Sequence, residues 1–357
     1  MKLFLEYDLK GHTLKNRLVM APLTRCRAID NVPNELMVEY YTQRSNAGLI
    51  VTEGTSPSPN GLGYARIPGI YSDAQVEAWK KVTSSVHENG GKIFLQIMHT
   101  GRASHPANMP EDAEVLAPSS VTLSGQMYTD SEGMQDYPAP REMTLIDILQ
   151  AQAEYVDAAK NAIAAGFDGV ELHGANGYLI DQFINPASNK RTDNYGGSIE
   201  NRNRFAIETA QKVANAIGGN RTGIRLSPYG VFNDMEIFKG IDDSFTYLAG
   251  ELGKLDLTYI HIVDHSSMGA PEVPQSIKSS IKSAFGGTLI ISGGLNKERA
   301  EAVLESGHGE LVAFGRSYIA NPDLAHRFEN NLEIAEPDAS LFYTPGPEGY
   351  TDYPTVS

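Results

Sequence analysis

The segment Glu171–Phe183, ELHGANGYLIDQF, contains three side chains that could do chemistry on one ligand. His173 ends a short apolar run, Asn176 comes three positions later, and Tyr178 follows two positions after that. An imidazole, a carboxamide and a phenol can each donate a hydrogen bond, and the imidazole and the phenol can also transfer a proton. The spacing is equally compatible with an ordinary polar turn, so the segment leaves both interpretations open.

The elements that would position these groups repeat along the chain as a short apolar run, a polar loop and a helical pattern. The candidate strands are Arg17–Ala21, Leu49–Glu53, Lys92–Ile97, Gly169–His173, Thr222–Ser227, Tyr259–Val263, Thr288–Ser292 and Leu311–Gly315. Helical patterns follow most of them, at Asn34–Asn46, Asp73–Asn89, Leu145–Ala165, Ser198–Ile217, Asp242–Lys254, Lys297–Glu305 and Pro322–Asn331. Parallel strands buried on both faces read as continuous apolar runs, and eight of them close into a TIM barrel. We therefore predict an α/β fold, a (β/α)8 TIM barrel in which residues 1–357 form a single domain.

Some helix ends carry recognisable signals. Ser198 and Asp242 are placed to cap the first turns of the helices that follow them. Gly166 and Gly307 stand where a helix should end in a left-handed turn.

Two segments lie outside the repeating pattern. Leu3–Leu18, LFLEYDLKGHTLKNRL, is expected to form an N-terminal hairpin that turns at Lys10–Gly11 and plugs the bottom of the barrel. Residues 102–141, after the third strand, are rich in Pro, Ser, Gly and Met and too long for an ordinary βα loop. We expect them to form a capping insertion over the upper mouth, and we treat residues 340–357 as a C-terminal segment.

Composition narrows the classes of partner. The formal net charge of −15 creates a negative field that disfavours nucleic acid and anionic membranes. Cys26 is the single cysteine, so an internal disulfide, an iron–sulfur cluster and a cysteine-based zinc site are excluded, and no metal is predicted. The charged N-terminus lacks the apolar core of a signal peptide, and no run of about 18 apolar residues occurs. We expect a cytoplasmic protein, either a monomer or a homodimer.

The carboxyl ends of the barrel strands, where TIM barrels build their active sites, collect amides, a guanidinium and glycines. The residues at these ends are Pro22, Leu23, Thr24, Gly54, Gln96, His173, Asn176, Arg225, Gly293, Gly294, Gly315 and Arg316. No two acids stand at these strand ends, and the chain contains no GxSxG and no HExxH, so common hydrolytic chemistries lack their groups. The set suits a planar heterocycle: Gln96 can pair with an imide edge and Arg225 with an electron-rich nitrogen. The two late glycine turns, together with Arg316, suit a phosphate.

Six collinear motifs, which span nearly the whole chain, resemble the Old Yellow Enzyme family of FMN-dependent ene-reductases. They are Met20–Arg25 (MAPLTR), Leu95–Pro106 (LQIMHTGRASHP), Glu171–Phe183, Ser188–Phe205 (SNKRTDNYGGSIENRNRF), Gly315–Leu324 (GRSYIANPDL) and Phe342–Pro354 (FYTPGPEGYTDYP). The resemblance implies that FMN lies at the top of the barrel, that NADPH or NADH reduces it, and that the substrate is a small activated alkene.

The resemblance also implies roles for individual residues. His173 and Asn176 would bind the substrate's carbonyl or nitro oxygen, and Tyr178 would protonate the α-carbon. Thr24 would bond a flavin carbonyl and tune the reduction potential. Contacts to the flavin ring fall on Pro22, Leu23, Gly54, Gln96 and Arg225, and contacts to the phosphate on Gly293, Gly294, Gly315 and Arg316.

The substrate cavity would be lined by two further aromatics, Tyr64 and Tyr343. Met98 departs from the family, since many relatives carry a tryptophan there, and a thinner thioether should open the pocket. The turn TPGP at Thr344–Pro347 departs from a more glycine-rich turn, which affects the shape of the rim.

Three alternatives remain beside this interpretation. A dienoyl-CoA reductase type would need a cysteine cluster and further domains, against which one cysteine and 357 residues argue. A flavin-free, phosphate-binding lyase or isomerase would need a Schiff-base lysine or an acid–base pair at the strand ends. A flavin-binding protein without turnover would have no need of His173, Asn176 and Tyr178 together.

Overall fold

The computed structural model describes residues 1–356. Its strands are β1 Tyr7–Leu9, β2 His12–Leu14, β3 Leu18–Met20, β4 Leu49–Val51, β5 Ile93–Ile97, β6 Leu116–Ala117, β7 Gln126–Thr129, β8 Gly133–Asp136, β9 Arg141–Glu142, β10 Gly169–Gly174, β11 Thr222–Leu226, β12 Tyr259–Val263, β13 Thr288–Ser292 and β14 Leu311–Phe314. Its helices are α1 Glu35–Gln43, α2 Asp73–Glu88, α3 Leu145–Ala164, α4 Leu179–Ile184, α5 Ile199–Ile217, α6 Ile241–Lys254, α7 Gln275–Phe285, α8 Lys297–Ser306, α9 Arg316–Ala320 and α10 Leu324–Asn330.

Eight parallel strands close into a barrel in the order β3-β4-β5-β10-β11-β12-β13-β14, with β14 pairing back onto β3. Every residue of these strands is buried, which explains why each one reads as an apolar run without alternation. Alternate side chains, such as Val19 and Leu49, face the barrel interior, while Leu18 and Ile50 pack against the surrounding helices. The predicted TIM barrel is confirmed.

The N-terminal hairpin plugs the lower end of the barrel, as predicted. Its two strands pair antiparallel, and the turn at Lys10 and Gly11 has positive φ angles of 49° and 92°. Leu9 and Leu14 are fully buried in one cluster with the inward-facing side chains of the barrel. The bottom of the barrel is thereby sealed with apolar side chains, which leaves the opposite end for chemistry.

Some helix signals are confirmed and one is wrong. Ser198 accepts a hydrogen bond from the Asn201 amide at 3.3 Å, and Gly166 and Gly307 take positive φ angles of 91° and 71°. Asp242 is not a cap: the helix begins at Ile241 after a left-handed Gly240, and Asp242 Oδ1 instead accepts from the Tyr229 hydroxyl at 2.9 Å.

Three helices were not predicted: α4, α7 and α9. The first follows β10 within a βα loop, and the third begins directly after β14.

Within residues 1–356, no helix combines the length and apolar character that crossing a bilayer requires.

Leu9→Ala tests the plug. Because Leu9 is fully buried, the truncation should lower the free energy of unfolding by about 2–5 kcal/mol. The matched control is Leu5→Ala, at a leucine that is 56% exposed, where a change within about 0.5 kcal/mol is expected. Urea unfolding followed by circular dichroism measures both, and equal losses in the two variants would contradict the plug.

Candidate active site

One cavity of about 1040 Å³ opens at the carboxyl ends of the barrel strands. All the residues predicted for the site line this cavity, with the exception of Gly54. Gly54 is buried beside it, and a Cβ there would meet the Met98 sulfur at 2.5 Å. Gly54 therefore makes room for Met98, which is itself buried and faces the cavity.

His173 presents a hydrogen-bond donor to the cavity. Its Nδ1 accepts from the Ala175 amide at 3.3 Å. Burial, reinforced by the Arg225 charge, holds the pKa of His173 well below its usual range, so the ring is neutral. A neutral ring that accepts at Nδ1 carries its proton on Nε2. The turn that follows β10 thus fixes the tautomer.

Asn176 lines the same cavity as His173, and its backbone lies in the left-handed region, with φ of 59°. Its amide N–H donates to Ser227 Oγ at 2.9 Å, and its carbonyl accepts from Asn233 Nδ2 at 2.8 Å. The side-chain Oδ1 accepts from His265 Nε2 at 2.7 Å. These bonds leave the Asn176 Nδ2 group as the end of the amide that is free for a ligand.

Tyr178 shares the same part of the cavity. Its hydroxyl lies 3.0 Å from the hydroxyl of Tyr64, and its ring meets that of His173 edge-on at 4.8 Å. Burial raises the pKa of Tyr178 to about 12, while the contact with Tyr64 acts in the opposite direction. The phenol therefore keeps its proton through the neutral and moderately alkaline range.

A buried carboxylate organises the cavity floor. Glu171, fully buried in β10, accepts from Gln96 Nε2 at 2.8 Å and from His261 Nδ1 at 2.9 Å. Burial raises the pKa of Glu171, but His261 and Arg225 outweigh that effect and leave it below its usual value, so the group is ionised. With its Nε2 committed, Gln96 offers its carbonyl oxygen to a ligand.

Arg225, next to this network in β11, is 7% exposed, and its Nε has no hydrogen-bond partner among residues 1–356. A buried donor of this kind calls for an acceptor from a ligand. Gln96 and Arg225 do not satisfy each other, since the partner of Gln96 is Glu171.

Glycine turns close the other side of the cavity. Gly293 and Gly294 follow β13, and Gly315 and Arg316 follow β14. At Gly293 the φ angle is 132°, and a Cβ would collide with the backbone carbonyl of Asp264. Only glycine allows this close approach, which leaves the turn's backbone bare toward a ligand.

The rim of the cavity comes from two distant segments. Buried Arg25 donates to the carbonyl oxygens of Phe342 and Gly349, at 3.1 and 2.6 Å. Arg27, also buried, donates to Phe342 at 2.7 Å and to Glu348 at 2.9 Å. The two guanidiniums thus hold residues 341–349 against the loop after β3, where Tyr343 stands at the rim with 61% of its surface exposed.

The insertion covers the opposite rim. Met127, Tyr128, Met134 and Tyr137, which lie on or just after the β7–β8 hairpin, line the cavity. An ion pair between Arg66 and Asp130 at the hairpin tip fastens the hairpin down. Part of the segment after the third barrel strand thus forms one wall of the cavity.

Comparison with known proteins identifies this arrangement. A model of the NADH:flavin oxidoreductase / NADH oxidase family matches residues 2–335. The solved structure of the Old Yellow Enzyme homologue from Zymomonas mobilis superposes with a TM-score of 0.94 at 39% identity, over 100% of both chains. The chain belongs to the Old Yellow Enzyme family.

Two sequence relatives of this Old Yellow Enzyme family member are equally similar to it. One is putative 12-oxophytodienoate reductase 3 of Oryza sativa subsp. japonica, 42% identical over 359 residues that cover 99% of this chain and 92% of that protein. The other is a probable flavin mononucleotide-dependent alkene reductase of Leishmania infantum, 42% identical over 349 residues, or 96% of this chain and 94% of that protein. The cofactor is FMN and the reductant is NAD(P)H, as expected for an Old Yellow Enzyme. A flavin-free lyase or isomerase is therefore excluded.

The cavity fits FMN. Its volume of about 1040 Å³ is slightly above the range of about 300–1,000 Å³ typical of ligand pockets, so the cavity is large enough for a cofactor of this size. The cavity offers an unpartnered donor at Arg225 Nε, a free acceptor at the Gln96 carbonyl and the exposed backbone of the glycine turns. These are complementary in chemistry to the ring acceptor atoms, the imide N–H and the phosphate of FMN, respectively.

Several residues of the site escaped the sequence analysis. Glu171 and His261 carried a usable signal, because each is a polar residue in the middle of a buried strand, between two apolar neighbours. The sequence gives no such indication for His265 and Arg66, because their partners, Asn176 and Asp130, are distant in sequence.

Glu171→Gln tests the floor of the cavity. A neutral amide at position 171 removes the charge that strengthens the bond from Gln96 Nε2, so the orientation of the Gln96 amide is held less firmly. We expect the dissociation constant of FMN, measured by flavin fluorescence, to rise by about 10- to 100-fold, because a hydrogen bond to a charged group is worth about 1.5–3 kcal/mol. Glu77→Gln, on the exposed surface of α2, is the control. Unchanged FMN affinity in Glu171→Gln would remove the carboxylate from this role.

Proposed function

We propose that the protein is an ene-reductase that uses NAD(P)H to reduce the C=C bond of α,β-unsaturated carbonyl compounds, with nitroalkenes and nitrate esters as further candidates. The observation that carries the proposal is the meeting of three groups in one cavity. His173 Nε2–H and Asn176 Nδ2–H are two donors, and Tyr178 adds a protonated phenol beside them. A carbonyl oxygen and its neighbouring carbon are the substrate features that such a set would recognise.

The reaction consumes one NAD(P)H, one proton and one alkene, and releases NAD(P)+ and the saturated product. FMN, when bound, would supply the hydride chemistry that links NAD(P)H to the β-carbon of the alkene, in two half-reactions of a ping-pong sequence. As the hydride reaches that carbon, negative charge grows on the carbonyl oxygen. His173 and Asn176 stabilise this charge, and one such donor is typically worth about 10²–10³ in rate.

The phenol of Tyr178 supplies the proton that the α-carbon needs. Its raised pKa of about 12 keeps it protonated, and the Tyr64 hydroxyl at 3.0 Å can donate to the phenolate that forms. Met98 packs with Tyr64 and Tyr178 in a small apolar cluster, which limits water near the phenol.

The chain offers each part of FMN a partner. Gln96 would accept from the imide N–H, and Arg225 would donate to the adjacent ring acceptors. Thr24 would bond a flavin carbonyl, with Pro22 and Leu23 against the ring. Gly293, Gly294, Gly315 and Arg316 would bind the phosphate. All of these residues line the cavity.

Cyclohexenone provides the direct test. The FMN-loaded protein should oxidise NADPH or NADH slowly alone and faster as cyclohexenone is added, with cyclohexanone as the product. Ping-pong kinetics should appear as parallel double-reciprocal plots. FMN binding without any cyclohexenone-dependent oxidation would favour a flavin-binding protein that has no turnover of this kind.

Tyr178→Phe separates the two half-reactions. Loss of the general acid should slow reoxidation of reduced flavin by cyclohexenone by about 10²–10⁴-fold, whereas flavin reduction by NADPH should persist, both measured by stopped-flow absorbance. Tyr247→Phe, in α6 outside the barrel, is the matched control. Equal losses in both half-reactions would show that Tyr178 is not the proton donor.

A further inference from the structure

We propose that His265 is a positioning residue, which orients the Asn176 side chain so that its N–H, and not its carbonyl, faces the oxygen of the substrate. The inference rests on the proposed function in one respect, because it assumes that Asn176 binds an oxygen on which negative charge develops. It adds a residue from the loop after β12 to the substrate site.

The backbone of Asn176 is fixed but its side chain has a choice. Ser227 and Asn233 hold the backbone N–H and carbonyl at 2.9 and 2.8 Å. The two ends of a carboxamide are nearly equal in size and opposite in hydrogen-bonding character. If the amide turned over, Oδ1 would point at the substrate oxygen and repel it, so something must select one orientation.

His265 is placed to make that selection. Its Nε2 lies 2.7 Å from Asn176 Oδ1, and since an amide oxygen only accepts, the ring must donate. With Oδ1 engaged, Nδ2 faces the cavity that both residues line. Phe232 packs against the His265 ring, with centroids 4.6 Å apart, and limits its rotation.

The charged groups around His265 favour a neutral ring. Burial and the Arg225 and Arg316 guanidiniums lower the pKa of His265 to about 4, while Asp264 opposes them. Asp264 itself is engaged by the amides of Ser266 and Val273 and by Lys278 Nζ, at 3.0, 3.2 and 3.0 Å. The contact with Asn176 requires a proton on Nε2, and in a neutral ring this places the single proton on that nitrogen.

The first experiment compares His265→Phe, which keeps a ring but has no donor, with His265→Gln, which keeps an N–H at similar reach. The readouts are the kcat and KM for cyclohexenone and the dissociation constant of para-chlorophenol, followed by the change in flavin absorbance. The phenol's oxygen stands in for the negatively charged substrate oxygen. His265→Leu serves as a second non-donor variant if the phenyl ring impairs folding.

We expect His265→Phe to lower kcat for cyclohexenone and to weaken para-chlorophenol binding, each by about tenfold or more, with His265→Gln within about threefold of the parent. The FMN content and the thermal midpoint should match those of the control His308→Phe, at an exposed residue that precedes β14 at the opposite end of the barrel. Phenol affinity within twofold of the parent in His265→Phe and His265→Leu would overturn the proposal.

The second experiment asks whether His265 acts through Asn176. In an Asn176→Ala background there is no amide to orient, so adding His265→Phe should change phenol affinity by less than about twofold. A further tenfold loss in that background would overturn the proposal, because His265 would then act independently. Phenol binding needs no turnover, so a parent enzyme inactive with cyclohexenone would count against the proposed function and leave this test intact.

Discussion

A single buried charge imposes much of the order in this molecule. A carboxylate removed from water must be matched by donors, and Glu171 has no solvent contact. It draws Gln96 from β5 and His261 from β12, and Arg225 of β11 lies within reach of its field. Neighbouring strands are thus tied together at the level of the cavity floor, and the polar groups there take one arrangement before any ligand enters.

The hydrogen-bond donor that His173 presents above that floor is determined by the local backbone. In His173 the ring nitrogen accepts from the amide two residues later, and His99 and His105 repeat the arrangement with Gly101 and Ala107. A turn of three residues is therefore enough to decide which nitrogen carries the proton. Asn176 differs, since no neighbour in the chain determines which end of its amide faces the ligand.

That contrast explains what the sequence could reveal. The barrel strands were recognisable because most of their residues are apolar and every one is buried, and the polar residues at or near their carboxyl ends, including Gln96 and Arg225, could be identified with them. Helix α7 could also have been predicted, because its buried residues Ile277, Ile281 and Phe285 recur at intervals of four, a pattern typical of a helix. The position of Gly54 under Met98 and the pairing of His265 with Asn176, 89 residues apart, depend on contacts through space.

The attachment of the C-terminal segment carries a consequence for biosynthesis. The last barrel strand ends at Phe314, whereas the carbonyl groups held by Arg25 and Arg27 belong to residues 341–349. During translation the barrel strands leave the ribosome first, and one wall of the cavity is still missing when the last of them emerges. The cavity is therefore complete only after this stretch has been translated and has folded back onto Arg25 and Arg27, which precede it in the chain.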